Sequence, residues 1–210
     1  MNEITIAAEE WNTSNIQAFW GEIASSDHMV QVYENEKIFL DTLEGFVGTG
    51  FLANDSVVII ATSKHLESLH ARLRSQGFDL GMLTETGQYM PIDAEDLLSK
   101  FLVNDRIDEQ VFNVFITDLV KRAKQHNGKI RAFGEMVAVL WEKGYTEATV
   151  QLEDLWNQLH DKSPFTLFCA YPKSGFTRSS ADSIDIICSQ HAKVIGGQAK
   201  PSTDIYYKTA

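Results

Sequence analysis

Most familiar catalytic arrangements of residues are missing from this sequence. Its six histidines are His28, His65, His70, His126, His160 and His191. None sits in an H-E-x-x-H, and no C-x-x-C exists, so spacing predicts no metal site. Cys169 lies in an apolar run and Cys188 on a helical face. Both read as small buried hydrophobes rather than nucleophiles. A G-x-S-x-G elbow is absent, as is the phosphate loop G-x-x-x-x-G-K-[ST]. The glycine cluster from Gly45 to Gly50 closes a helix pattern, where glycine serves as a stop and permits close packing. A phosphate cradle instead needs a helix amino terminus aimed at the anion. No catalytic residue, metal or cofactor is assigned.

What remains is a group of polar and aromatic residues around the carboxyl ends of predicted strands. In open parallel sheets, ligands bind just beyond those ends. Tyr33 and Glu34 follow one strand, Thr62 and His65 a second, Glu135 a third and Tyr171 a fourth. Arg131 and Phe133 lie within the third strand. The candidate ligand-binding set is therefore Tyr33, Glu34, Thr62, His65, Arg131, Phe133, Glu135 and Tyr171. Such a mixture suits a mostly apolar pocket with a few polar anchors. Plainer roles compete with this one. Tyr33 could cap the core, Glu135 could answer the positive start of its helix, and His28 fits a surface or capping position. Met136 and Trp141 read as core. Arg131 needs a carboxylate if buried, and Glu34 and Glu135 are the leading candidates.

These residues depend on an alternating series of elements. A helix is predicted over residues 14–23, a strand over 29–33, a helix over 36–51 and a strand over 56–62. Helical spacing of Leu66, Leu69, His70 and Leu73 ends at Gly77. A short strand at 88–92 and a short helix bearing Leu97, Leu98, Phe101 and Leu102 come next. Asp108 opens a long helix with Phe112, Phe115, Ile116, Leu119 and Ala123 inward, ended by Gly128. A strand over 129–133 and a helix over 135–141 follow. Thr146 is the predicted cap of a helix with Leu152, Leu155, Trp156 and Leu159 inward. A strand over 165–171 is followed by a helix-start box at 179–182, with Ile184, Ile187 and Cys188 behind it. The strongest strands are apolar throughout, as strands covered on both faces must be. The predicted fold is α/β: a single three-layer domain, its central sheet mainly parallel and helices on both faces.

Composition narrows the function. Eighteen Lys and Arg against 29 Asp and Glu give a net charge of −11, with a pI near 4.9. That balance argues against nucleic acid and against an anionic membrane surface. The longest apolar run, from Met136 to Trp141, is far too short to span a bilayer. The opening Met1-Asn2-Glu3-Ile4 lacks the basic-then-apolar pattern of a signal peptide. Two cysteines build no disulfide framework, and the expected compartment is a reducing cytoplasm.

Five segments occur in a telling order: His28-Met29-Val30-Gln31-Val32-Tyr33-Glu34, Asp55 to Thr62, Arg131-Ala132-Phe133-Gly134-Glu135-Met136-Val137, Leu152-Glu153-Asp154-Leu155-Trp156-Asn157, and Cys169-Ala170-Tyr171-Pro172. Together they resemble the DcmR-type sensory domain, MEDS (methanogen/methylotroph, DcmR sensory domain), from about Asp27 to Phe176. The resemblance implies a divergent RecA/KaiC-like fold that has lost its phosphate loop. Val30–Tyr33 would be the strand before that loop, and Glu34-Asn35-Glu36-Lys37 the loop's remnant. Two acidic residues there are wrong for a triphosphate. Gly134 and Glu135 stand where such ATPases carry an Asp and a hydroxyl.

The organisation expected is a helical extension over residues 1–26, a sensory domain over 27–197 and a polar tail over 198–210. The function expected from the resemblance is a stand-alone, non-enzymatic sensory module. It would bind a small, hydrocarbon-derived ligand and signal through a separate histidine kinase or response regulator, with homo-oligomers open to it. The alternatives are a degenerate nucleotide-binding protein, a weak or unusual enzyme with Glu34 or Glu135 as a base and Lys37 near phosphate, or a pure interaction module without a ligand.

Overall fold

The computed structural model describes residues 27–176, 191, 193–195 and 205–207. The expected helices over 14–23 and around 179–188 lie outside the described residues. In chain order the elements are β1 (His28–Tyr33), α1 (Glu36–Leu52), β2 (Ser56–Ala61), α2 (Ser63–Ser75), α3 (Leu80–Glu85), β3 (Tyr89–Asp93), α4 (Ala94–Leu98), β4 (Leu102–Val103), β5 (Arg106–Ile107), α5 (Glu109–Asn127), β6 (Ile130–Gly134), α6 (Met136–Glu142), α7 (Thr146–Lys162), β7 (Thr166–Pro172), β8 (Lys193–Ile195) and β9 (Ile205–Tyr207).

The main sheet has the order β3-β2-β6-β7-β1-β8-β9. Every neighbouring pair from β3 to β8 is parallel, and β9 alone runs antiparallel. β9 falls within the stretch expected to be a polar tail. Because strand side chains alternate between faces, each strand feeds two cores. On one face Val30, Val58, Ile60, Ala132, Leu167, Cys169 and Tyr171 pack under α4 to α7. On the other, Met29, Val57, Ile59, Phe133, Phe168 and Ala170 pack under α1 to α3. All six residues of β2 are buried, as a strand covered on both faces requires.

Local chemistry fixes the helix ends. The Asn35 side chain accepts from the Lys37 N–H at the start of α1, and Asp108 accepts from Gln110 and Val111 at the start of α5. Gly128 closes α5 with a φ of 76°, a conformation that costs glycine nothing. Gly50 lies inside α1, where a Cβ would come within 2.8 Å of Val57 Cγ2. Its role is therefore close packing on β2.

Some local expectations need correction. Tyr145, not Thr146, is the cap residue of α7, and it makes no side-chain capping bond. Phe115 is 42% exposed, because Phe112, Ile116, Leu119 and Ala123 already complete the buried stripe of α5. The small helix α3 and the β4–β5 hairpin have no counterpart among the predicted elements. Asp79 caps α3, and the hairpin turns on Asn104 and Asp105, both at positive φ. At the edge of the sheet, β3 carries Pro91 opposite Ile59 of β2.

Candidate functional site

A cleft of about 460 Å³ opens at the carboxyl ends of the central strands. It is lined by Tyr33 and Glu34 after β1, Glu36 on α1, Thr62, Lys64 and His65 after β2, and Glu135 and Glu142 around α6. Five of the eight candidate residues thus come together: Tyr33, Glu34, Thr62, His65 and Glu135.

Glu135 organises the floor. Its main-chain N–H donates to Ile60 O at 2.8 Å, continuing the β6–β2 ladder by one residue. Its carboxylate turns back to the neighbouring strand. Oε2 accepts from the Thr62 N–H at 2.8 Å, and Oε1 accepts from His65 Nδ1 at 2.5 Å. The side chain makes no capping bond to its own helix. It grips the β2–α2 junction instead, so a simple helix-dipole role does not describe it.

His65 lies between two carboxylates, with Nε2 3.5 Å from Glu36 Oε1. Burial disfavours its charge, but the bond and the charge of Glu135, joined by Glu36, outweigh that and raise its pKa above the ordinary imidazole value. Glu36 also meets Lys64 Nζ at 2.8 Å. That hydrogen bond holds the Glu36 carboxyl below its usual range. The Tyr33 ring stacks on Phe39 at 4.6 Å between centroids, and Phe39 meets the edge of His65 at 5.0 Å. Burial, with Glu135 nearby, pushes the Tyr33 hydroxyl pKa upward, so it stays protonated and available as a donor. Glu34 pairs with Lys173 at the rim. Lys37 points to Asp41, 2.9 Å away along α1.

The other three candidates lie elsewhere. Phe133 is wholly buried behind the cleft, 5.7 Å from Phe39 between ring centroids. Arg131 sits near the amino end of β6 and is held neither by Glu34 nor by Glu135. Its partner is Asp55, at 2.8 Å, with Thr49 Oγ1 at 3.0 Å. A carboxylate does hold it, but from the opposite end of the sheet, because Asp55 immediately precedes β2.

Tyr171 faces the α7 side of the sheet, where its hydroxyl donates to Glu153 Oε1 at 2.5 Å. It belongs to a buried polar cluster that linear spacing concealed. His28 is 3% exposed, so it is neither a surface nor a capping residue. Its Nδ1 bonds Asn157 Oδ1 at 2.8 Å, and its ring centroid lies 4.2 Å from that of His191. Burial, with His191 beside it, pushes the His28 imidazole down to about 4. Burial likewise raises the Glu153 carboxyl and the Cys169 thiol. The available signal was on α7. Glu153, Asn157 and His160 recur at i, i+4 and i+7 among the apolar Leu152, Trp156 and Leu159, which puts a polar stripe against the sheet.

Comparison with known proteins supports the architecture. A solved protein from Pyrococcus horikoshii OT3 superposes with a TM-score of 0.57 at 11% identity, covering 93% of this chain and 92% of that one. Likeness at that identity speaks for the fold alone. No curated protein matches the sequence. No helix among the described residues is long and apolar enough to cross a membrane. The model of the MEDS family, the methanogen/methylotroph, DcmR sensory domain, matches residues 27–192, which include both the cleft and the buried cluster; the chain belongs to that family of sensory domains.

Proposed function

We propose that this chain is a non-enzymatic sensor whose carboxyl-end cleft binds a small hydrocarbon-derived molecule bearing a hydroxyl or amine. It reports occupancy to a separate partner such as a histidine kinase or response regulator. The observation that carries this reading is the Glu36–His65–Glu135 chain, which is prearranged around a cleft walled by Tyr33. Four carboxylates, Glu34, Glu36, Glu135 and Glu142, line it against one lysine and one histidine. That surplus favours a hydrogen-bond donor or a cation and disfavours phosphates and carboxylates. A ligand donor that accepts Glu135 as partner competes with His65 and Thr62. Binding then loosens the β2–α2 junction, a local change that a docked partner can read.

Titration calorimetry with a panel of short alcohols and amines, alongside acetate and magnesium–ATP, tests the reading. Binding of an alcohol or amine that weakens at least roughly tenfold in Glu135→Gln is expected, the equivalent of losing one charge-assisted hydrogen bond. Tight magnesium–ATP binding would favour a degenerate nucleotide-binding protein instead. The absence of binding by every compound would favour a pure interaction module.

A further inference from the structure

We propose that His28, Glu153, Cys169 and His191 form a closed site for one divalent transition-metal ion of the zinc class. One ligand atom from each lies within 4.8 Å of all the others, and all four residues are buried. They come from β1, α7, β7 and the chain just before β8, so folding alone assembles the set.

The spacing fits the ion. His28 Nε2 stands 3.8 Å and His191 Nε2 3.6 Å from Glu153 Oε2. Cys169 Sγ stands 3.6 Å from His28 Nε2. A zinc tetrahedron built from ordinary Zn–N, Zn–O and Zn–S lengths has edges of roughly 3.3–3.6 Å. These three edges lie within a few tenths of an ångström of that range, and every other edge is at most 4.8 Å, so the shell closes by contraction around the ion.

Orientation supports it too. The His28 Nδ1–H donates to Asn157 Oδ1, which leaves Nε2 with its lone pair facing the cluster. Tyr171 donates to Glu153 Oε1, while Oε2 accepts no hydrogen bond although Glu153 is 1% exposed. Proteins rarely leave a buried carboxylate oxygen in that condition. Outer partners that hold the far atom of each ligand and leave the near atom open are the usual support of a metal shell.

Charge selects the ion's valence. One thiolate and one carboxylate with two neutral imidazoles balance a divalent cation, so the filled site is neutral in a dry interior. Mixed sulfur and nitrogen ligation excludes calcium and magnesium, which take oxygen. Binding forms four coordinate bonds and releases the thiol proton, with any carboxyl proton, to solvent. Four protein ligands leave no open position, so the ion holds β1, β7, α7 and the approach to β8 together rather than activating water.

The test uses the full chain, stripped with chelator and titrated with Co2+ as a spectroscopic probe. One equivalent should bind with tetrahedral visible bands and a near-ultraviolet thiolate charge-transfer band, and Zn2+ should displace it. Cys169→Ser should abolish the charge-transfer band, whereas Cys188→Ser should keep it. Asn157→Ala should weaken Zn2+ binding roughly 10–100-fold, the usual cost of losing an outer partner. Circular dichroism selects folded variants. Should Cys169→Ser fail to fold, folded His191→Ala serves, with affinity expected to fall by at least roughly tenfold. A folded wild-type chain that binds no Co2+, a charge-transfer band that survives Cys169→Ser, or unchanged affinity in His191→Ala would each overturn the site. None of these readouts involves the carboxyl-end cleft.

Discussion

Arg131 Nε donates to Asp55 Oδ2 across 2.8 Å, joining β6 to the residue just before β2. Both side chains are nearly buried, at 12% and 11% exposure. Arg131 also lies over the Phe46 ring, 5.8 Å from its centroid. Removing one member of such a pair leaves the other charge poorly solvated, so Arg131→Ala should cost about 3 kcal/mol in a denaturant melt. A double-mutant cycle with Asp55→Asn should return a coupling of roughly 0.5–3 kcal/mol, and one with Glu135→Gln should be additive. Additivity with Asp55 would show that the pair contributes nothing.

Gly50→Ala sets two effects against each other. Alanine is better than glycine in a helix by about 1 kcal/mol. The new Cβ, however, would meet Val57 Cγ2 at 2.8 Å and Arg131 Cδ at 3.1 Å. Crowding a packed core costs about 1–3 kcal/mol. The clash should win, and Tm should fall by a few degrees. A rise in Tm would mean that α1 moves away from β2 without cost.

His65 gives a pH signature. Its folded pKa is raised, so the stabilisation from its pairing with Glu135 is fully present below the ordinary imidazole value. That stabilisation fades as pH rises through the higher folded value. An NMR titration of the His65 ring should place its midpoint above 6.5, the ordinary imidazole value. In Glu135→Gln, burial has only Glu36 against it, and the midpoint should fall. An unchanged midpoint would mean that Glu135 is not the dominant partner.

Magnesium-dependent ATP turnover should be absent. The amino end of α1 carries Glu36 in its first turn and Glu34 just before it, where a phosphate would need bare N–H groups. A malachite-green assay on wild type and Lys37→Ala is the measurement. Activity that disappears in the variant would reverse this reading.

The doubly covered strand and the helix cap were legible in Val57 to Ala61 and in Asp108, because each depends only on near neighbours. The gathering of Tyr33, Thr62, His65 and Glu135 was legible for a topological reason: parallel strands place their carboxyl ends together. What lay hidden was side-chain direction. Tyr33 ends β1 and Tyr171 is the next-to-last residue of β7, yet Tyr171 faces α7 and Tyr33 faces α1. Arg131 found its acid 76 positions earlier in sequence, at a strand start that spacing does not single out. His28, Glu153, Cys169 and His191 are scattered along the chain, and the pairing of β1 with β7 and with β8, under α7, brings them together.

Pro91 has a consequence for assembly. The Val57 N–H donates to Gln88 O, and in a parallel ladder alternate residues bond the same neighbour. Residues 88, 90 and 92 therefore face β2, while 89, 91 and 93 turn their backbone outward. The proline ring thus sits on the flank that no described strand pairs, at the centre of the row any incoming strand would have to match, and it offers no donor there. This border of the sheet is closed to strand addition and to edge-to-edge aggregation. Copies of this chain that associate are not expected to do so by pairing β3 strands.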